Sequence, residues 1–299
     1  MAKHNISRLV LGTAQLGMPY GIANTTGRPD GRIAEKIVKE AWASGIREFD
    51  TAQGYGDSEK VLGRIFAKSG IARNVRVVSK VDPCIDHGNK KNLFAAVDRS
   101  LKRLGVPVLY GILLHDEKLL DRWDEIGVHF KDLRRTGRVK KLGVSVYSVE
   151  KGMAALQIPD IDVIQVPGNI WDRRFEKAGF FKAALKNQKI VYLRSVFLQG
   201  LVLMEPENIP PHLSKAKKYS RQLAQLCLAH GLTARDIALK YVHLQMPEAK
   251  IVLGVETLEQ LKDNILSWNK RHSADVGGLV RKVFSDVPET IINPLHWKS

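Results

Sequence analysis

The chain has 299 residues, of which 44% are apolar and 7% aromatic, and a formal net charge of +16. That composition is sufficient for one large core, and it fits neither a collagen-like nor a low-complexity class. Two cysteines, Cys84 and Cys227, cannot staple a chain of this length, and no CxxC or Cys/His cluster points to a metal.

In chain order the elements repeat as a pair, a short apolar run and then an amphipathic segment. A strand around Leu9–Leu11 opens the series. The pattern predicts a helix over Ile33–Ala43, with Ile33, Ile37, Val38 and Ala41 on one face and Gly45 as its stop. A strand at Ile46–Asp50 leads to a helix at Ser58–Ala67, with Ser58 as its N-cap. Next come a strand at Val75–Ser79, a helix at Leu93–Leu104 closed by Gly105, a strand at Leu109–Leu114 and a helix at Asp121–Arg135 closed by Gly137. A strand at Lys141–Val146 precedes a helix at Val149–Leu156 capped by Ser148, and a strand at Val163–Val166 precedes a helix at Phe175–Leu185. A strand at Ile190–Val196, helices at Ser214–His230 and Ala234–Leu244, a strand at Ile251–Gly254 and a helix at Leu258–Ser267 complete the series. After Asn269 no period stands out, so the tail is expected either to lie over the body or to lack order.

Strands alternating with helices imply parallel βαβ units, and eight such units close into a (β/α)8 TIM barrel, an α/β fold of one domain. The doubly wound alternative would want a glycine-rich dinucleotide fingerprint after an early strand. Gly54-Tyr55-Gly56 lacks the third glycine, and no P-loop pattern occurs. No linker divides the chain.

The N-terminal MAKHNISRLVLGTAQLG has too short an apolar run for a signal peptide, and no stretch approaches the ~18 apolar residues of a membrane span. The cytoplasm is the expected location, and a membrane is not an expected partner. The basic residues are scattered singly or in pairs such as Lys90–Lys91 and Arg134–Arg135, without a basic arm or stripe. A nucleic-acid function is therefore not expected; an anionic substrate, a phosphate-bearing cofactor or a solvated basic surface accounts for the charge.

In a barrel of this kind, chemistry sits at the C-terminal ends of the strands. Strand two ends in Asp50 and runs on through Thr51-Ala52-Gln53-Gly54 to Tyr55; strand three ends in Ser79-Lys80; strand four ends in Leu114-His115. Each alone reads as a turn residue, a packing residue or a solvated charge. Together they bring acid, phenol, amine and imidazole to one mouth. A lysine at the floor of a pocket needs an anionic partner, which Asp50 supplies. Reducing a carbonyl with hydride develops negative charge on oxygen and requires a proton. Tyr55 can give it, with Lys80 expected to lower the phenol pKa and His115 to orient the substrate oxygen.

The run Phe49-Asp50-Thr51-Ala52-Gln53-Gly54-Tyr55-Gly56 with Ser58-Glu59, then Ser79-Lys80 and Leu114-His115, resembles the aldo-keto reductase superfamily over about Leu9 to Asn269. The resemblance implies NAD(P)H-dependent reduction of an aldehyde, ketone or sugar-like carbonyl, with Tyr55, Lys80, Asp50 and His115 as the catalytic set. Gly12-Thr13 is similar to the family's opening pair near the nicotinamide, beside Asp50. Ser145, in Gly143-Val144-Ser145, and Gln165 resemble its carboxamide contacts, and Ser195 its phosphate-proximal serine. Gly254 to Asn264, with Glu256 and Gln260 between them, resembles the adenosine-phosphate segment. Thr257 as an N-cap there would leave backbone N–H groups free for phosphate.

Three positions depart from the family pattern. Val146 stands where asparagine is frequent. Arg194 stands where a tyrosine stacks on the nicotinamide, so it is expected to reach a phosphate or an anionic substrate. Glu256 stands where a basic residue holds the 2′-phosphate of NADPH; a glutamate would repel that phosphate and accept a ribose hydroxyl. The resemblance leaves NADPH and NADH both open. It also leaves an alternative, a cofactor-binding regulatory subunit of a larger assembly, against a monomeric or homo-oligomeric enzyme acting on a small-molecule carbonyl, polar or anionic species included. Substrate choice is expected from the loops Pro19–Gly31, Ile170–Arg174 and Phe197–Pro211, which carry Tyr20, Trp171, Arg173, Arg174, Phe197 and Gln199.

Overall fold

The computed structural model describes residues 6–270 and 275–297, and in it the apolar runs become eight parallel strands. They are β1 (Leu9–Gly12), β2 (Glu48–Asp50), β3 (Arg76–Val81), β4 (Leu109–Leu114), β5 (Val139–Ser145), β6 (Val163–Pro167), β7 (Ile190–Arg194) and β8 (Lys250–Gly254). Each pairs with its sequence neighbour, and β8 returns to β1, so the sheet closes into the expected barrel.

Period-two alternation sorts the strand residues into two cores. Val10, Val78, Leu113, Val163, Tyr192 and Val252 fill the barrel interior. Leu9, Leu11, Phe49, Val77, Ile112 and their equivalents face outward onto the surrounding helices. The interior also holds the buried Glu48 carboxylate, which accepts from Tyr192 Oη at 2.5 Å and pairs with Lys250 Nζ at 2.9 Å. That cluster ties β2, β7 and β8 together below the C-terminal rim.

Several boundaries differ from the sequence reading, each for a local reason. The helix Ser58–Lys68 has Asp57 at its cap position with no side-chain cap bond. Ser58 is instead fully buried, its Oγ 2.9 Å from Thr13 O and 2.8 Å from Thr13 Oγ1, so it fastens this helix to the end of β1. The segment expected as one helix over Phe175–Leu185 is two, Arg174–Lys177 and Phe180–Lys186, separated by Gly179 at φ +71°. The segment expected to start at Asp121 runs as a 3-10 turn over Glu117–Arg122, capped by Asp116, before the α-helix Trp123–Arg135. β3 extends past Ser79 to Val81, and β5 starts earlier, at Val139, and stops at Ser145. β7 stops at Arg194, where Ser195 turns the chain with φ +61°. Ser148 and Thr257 do cap their helices, accepting from Lys151 N at 3.2 Å and Gln260 N at 3.2 Å.

The tail lies over the body. Residues 271–274, like 1–5 and 298–299, are outside the described set, but the helices Val276–Val283 and Glu289–Ile292 follow. Between them Phe284 is buried against Trp171, ring centroids 6.3 Å apart. Among the described residues no helix is long and apolar enough to cross a membrane, and no group of three or more metal-ligating side chains forms.

Candidate active site

The interior cluster fixes the phase of every strand. Two residues beyond Val10, Val78, Leu113, Val163, Tyr192 and Val252 come Gly12, Lys80, His115, Gln165, Arg194 and Gly254. Register adds Asp50 beside Gly12 and Ser145 beside Gln165. One ring at the C-terminal rim therefore gathers a residue from each of the eight strands, and eight of the residues singled out in the sequence compose it.

Lys80 and Asp50 are its buried centre, 1% and 4% exposed. Lys80 Nζ donates to Asp50 Oδ1 at 2.9 Å, Asp50 Oδ2 at 2.8 Å and Thr51 O at 2.9 Å. Three acceptors use the three N–H bonds of an ammonium, so the cation is held rigidly. Burial lowers the Lys80 pKa from its ordinary value, and the Asp50 carboxylate works against that. Gln165 Nε2 donates to Asp50 Oδ1 at 2.7 Å, a contact across the barrel.

Tyr55 stands over this pair. Its loop is stitched to the barrel by Thr51 N to Val78 O at 2.9 Å and Gln53 N to Lys80 O at 3.0 Å. It also packs on Gly17, where a Cβ would lie 1.8 Å from Tyr55 O, so only glycine permits the approach. The Tyr55 ring centroid is 4.9 Å from Lys80 Nζ, and its edge meets the His115 ring at a centroid distance of 5.7 Å.

The expected lowering of the phenol pKa is not found. Burial raises it, and the Asp50 carboxylate adds to the rise, while Arg194 opposes it. The reason is that Lys80's charge is answered by a carboxylate in contact with it, so the pair presents little net field to the phenol. Tyr55 is consequently a firmly protonated donor. His115 is driven the other way, down to about 4, first by burial and then by Lys80. Its Nδ1 is buried without a partner. It is thus neutral, and an NMR titration should place the His115 imidazole near pH 4; a midpoint near the ordinary 6.5 would contradict this environment. The sign follows: its contribution to stability is whole above 6.5 and declines as pH falls toward 4, where the unfolded chain takes the proton first.

A cleft of about 290 Å³ opens above the ring. Gly12, Thr13, Asp50 and Tyr55 line one part of it, Arg194 and Ser195 another, and Gly254, Glu256, Gln260 and Asn264 a third. Lys80, His115, Ser145 and Gln165 do not line it; Lys80 lies beneath Asp50, buried out of reach. Thr13 Oγ1 donates to Asp50 O at 2.8 Å. Glu256 N donates to Gln260 Oε1 at 2.8 Å, and burial raises the Glu256 carboxyl pKa.

Of the predicted substrate loops, two reach the cleft, through Tyr20, Phe197 and Gln199. The third does not. Trp171 is buried in the core with Tyr219 and Phe284, Arg173 pairs with Glu176 at 2.7 Å, and Arg174 pairs with Asp172 at 2.9 Å and Glu289 at 3.1 Å. These side chains are consumed by internal partners that no local pattern announces. Sequence reasoning missed Arg235, which lines the cleft from the helix Ala234–Gln245 with its Nε buried and unpartnered. It also missed Tyr147, whose ring lies 4.0 Å beneath the Arg194 guanidinium.

The donor set suits a dinucleotide. Gly12 and Gly254 are register partners, so the rim between β1 and β8 carries no side chain to block a cofactor. Asn264 Oδ1, in the lining of the cleft, is a buried acceptor with no protein partner, an unusual group unless a ligand's N–H or O–H reaches it.

The chain matches the family model described as "Aldo/keto reductase family" over residues 8–283. D-arabinose 1-dehydrogenase of Saccharomyces cerevisiae is 25% identical across 99% of this chain and 94% of that protein. NADH-specific methylglyoxal reductase of Escherichia coli is 24% identical across 93% of this chain and 94% of that protein. Among solved structures, aldo-keto reductase AKR11C1 from Bacillus halodurans in its holo form superposes with a TM-score of 0.75 at 22% identity, covering 96% of this chain and 95% of that one.

Proposed function

Since the chain belongs to the aldo/keto reductase family and is an NAD(P)H-dependent oxidoreductase, we propose that it reduces an aldehyde, ketone or sugar-like carbonyl to an alcohol with Tyr55 as general acid. The observation that carries this reading is the protonated Tyr55 phenol held against His115 over the buried Lys80–Asp50 pair. When bound, the cofactor supplies hydride to the carbonyl carbon. The Tyr55 hydroxyl gives its proton to the carbonyl oxygen, and the charge left on the phenolate falls near the Lys80 ammonium. Neutral His115 offers a hydrogen bond that orients that oxygen without competing as an acid. Cys84 and Cys227 are free thiols, which fits a reducing cytoplasm as the setting.

Glu256 supports NADH as the preferred cofactor. Its carboxylate lines the cleft beside Gln260 and Asn264, where a 2′-phosphate would meet a like charge and a ribose hydroxyl would meet an acceptor. An NADH-specific relative agrees with that preference. Fluorescence titration should give a dissociation constant for NADH at least about tenfold below that for NADPH, and Glu256→Arg should narrow or reverse the gap, a change of about 1.4 kcal/mol or more. Equal or tighter NADPH binding by the unmodified protein would reject the preference. Turnover is tested by following NADH oxidation with a panel of aldehydes, ketones and aldoses, and failure on every class would reject the reductase reading.

A further inference from the structure

Arg194 is a cation at the rim of the cleft that the reaction above does not use. It ends β7 on the same face as Tyr192, so its side chain rises from the barrel interior into the cleft that Asp50 and Tyr55 also line. The guanidinium is pinned. It lies 4.0 Å over the Tyr147 ring, Nη2 donates to Val146 O at 3.1 Å, and Nη1 donates to Ser195 Oγ at 3.2 Å. All of these partners are neutral. Among the described residues no carboxylate lies within ion-pair distance of Arg194, whereas Arg173, Arg174 and Arg134 each have one. The other rim cation, Lys80, is answered by Asp50. The rim ring therefore carries one unanswered positive charge, oriented by an aromatic platform and with N–H bonds to spare.

A partly buried charge without a counter-ion is costly unless a ligand completes it. Two anions are in question, a group on the substrate and the phosphates of the cofactor. Arg194 lies at the acid end of the cleft. Its Nη2 reaches Val146 O just beyond β5, the neighbouring Gln165 on β6 contacts Asp50 at 2.7 Å, and Arg194 shares the cleft lining with Asp50 and Tyr55; in keeping with this, its charge opposes the rise of the Tyr55 phenol and helps to lower His115. We propose that Arg194 anchors the substrate, and that the carbonyl compound this protein reduces carries an anionic group, a carboxylate or a phosphate. The proposal rests on the reductase reading for the reaction, but not for the anion site itself.

Two matched pairs test it with NADH in excess: succinic semialdehyde against butanal, and glyceraldehyde 3-phosphate against glyceraldehyde. The charged member of at least one pair should have the higher kcat/KM, on the order of 10- to 100-fold, as a charged hydrogen-bonded contact provides. The pair that responds distinguishes carboxylate from phosphate. In Arg194→Gln the charged-over-neutral ratio should fall to about one, chiefly through KM, and Arg194→Lys should restore part of it. Neutral members preferred by the unmodified protein would overturn the proposal. So would an Arg194→Gln variant that keeps the ratio while its NADH dissociation constant rises, since the guanidinium would then serve the cofactor. A binding arm needs no turnover. Calorimetry on the protein saturated with NAD+ should detect succinate or glycerol 3-phosphate, and lose it in Arg194→Gln. No binding of either probe overturns the anion site, whereas binding without any turnover overturns only the reductase reading.

Discussion

Tyr55→Phe is expected to slow carbonyl reduction by about a thousandfold, within the 10²–10⁴ range of a positioned general acid, while the NADH dissociation constant stays within about twofold. The substitution removes one oxygen and keeps the ring that contacts His115 and Lys80. Because burial and Asp50 hold the phenol pKa above its ordinary value, the group is protonated throughout the working range, and the unmodified enzyme should show no alkaline limb below pH 9 from loss of the Tyr55 proton. Single-turnover fluorescence with the carbonyl panel separates the step from cofactor release. A variant that retained most of the rate would transfer the acid's role elsewhere, and a steep loss of cofactor affinity would make Tyr55 a binding residue.

Lys80→Met has the largest expected effect on stability. The methionine fills similar space, but Asp50 then keeps its charge at 4% exposure, with Gln165 Nε2 and no cation to face it. Removing one partner of a buried pair typically costs about 3–5 kcal/mol, because the other charge is left unanswered. Urea denaturation monitored by tryptophan fluorescence should record that loss. The double variant Lys80→Met with Asp50→Asn should recover a large part of it, since no net charge remains in the ring. A single variant as stable as the parent would mean that Asp50 finds solvent or another cation. Reduction should also fall in both variants, because the phenolate formed at Tyr55 loses the ammonium near it.

Much of this architecture was legible in the residues themselves. The eight apolar runs, the helices between them and the glycine stops at Gly105 and Gly137 all recur in the barrel. The capping residues Ser148 and Thr257 behave as local hydroxyl acceptors do anywhere in a chain. Errors gathered where a neighbour distant in sequence took over a local signal. Ser58 read as a cap because its type and place fit one, yet Thr13 holds its hydroxyl. Trp171, Arg173 and Arg174 read as a substrate loop because the loops after the strands set substrate choice in the family that the sequence resembles, yet the tail and their own neighbours absorb them.

The amino-acid sequence by itself determined which chemical groups reach the rim. A strand turns every second side chain inward, so the spacing from Val78 to Lys80, from Tyr192 to Arg194 and from Val163 to Gln165 commits those groups to one ring before any tertiary contact is known. Only the closed barrel decided what the groups do to one another. Asp50 and Gln165 are 115 positions apart and 2.7 Å apart in space, a contact made by curvature and register rather than by any local preference. The Lys80–Asp50 pair was already expected from adjacent strand ends, but the tertiary structure decided that Arg194 is left unanswered and that the Tyr55 phenol rises instead of falling. Proton affinity and net charge at a site are sums over neighbours in three dimensions, and closure of the barrel sets those neighbours.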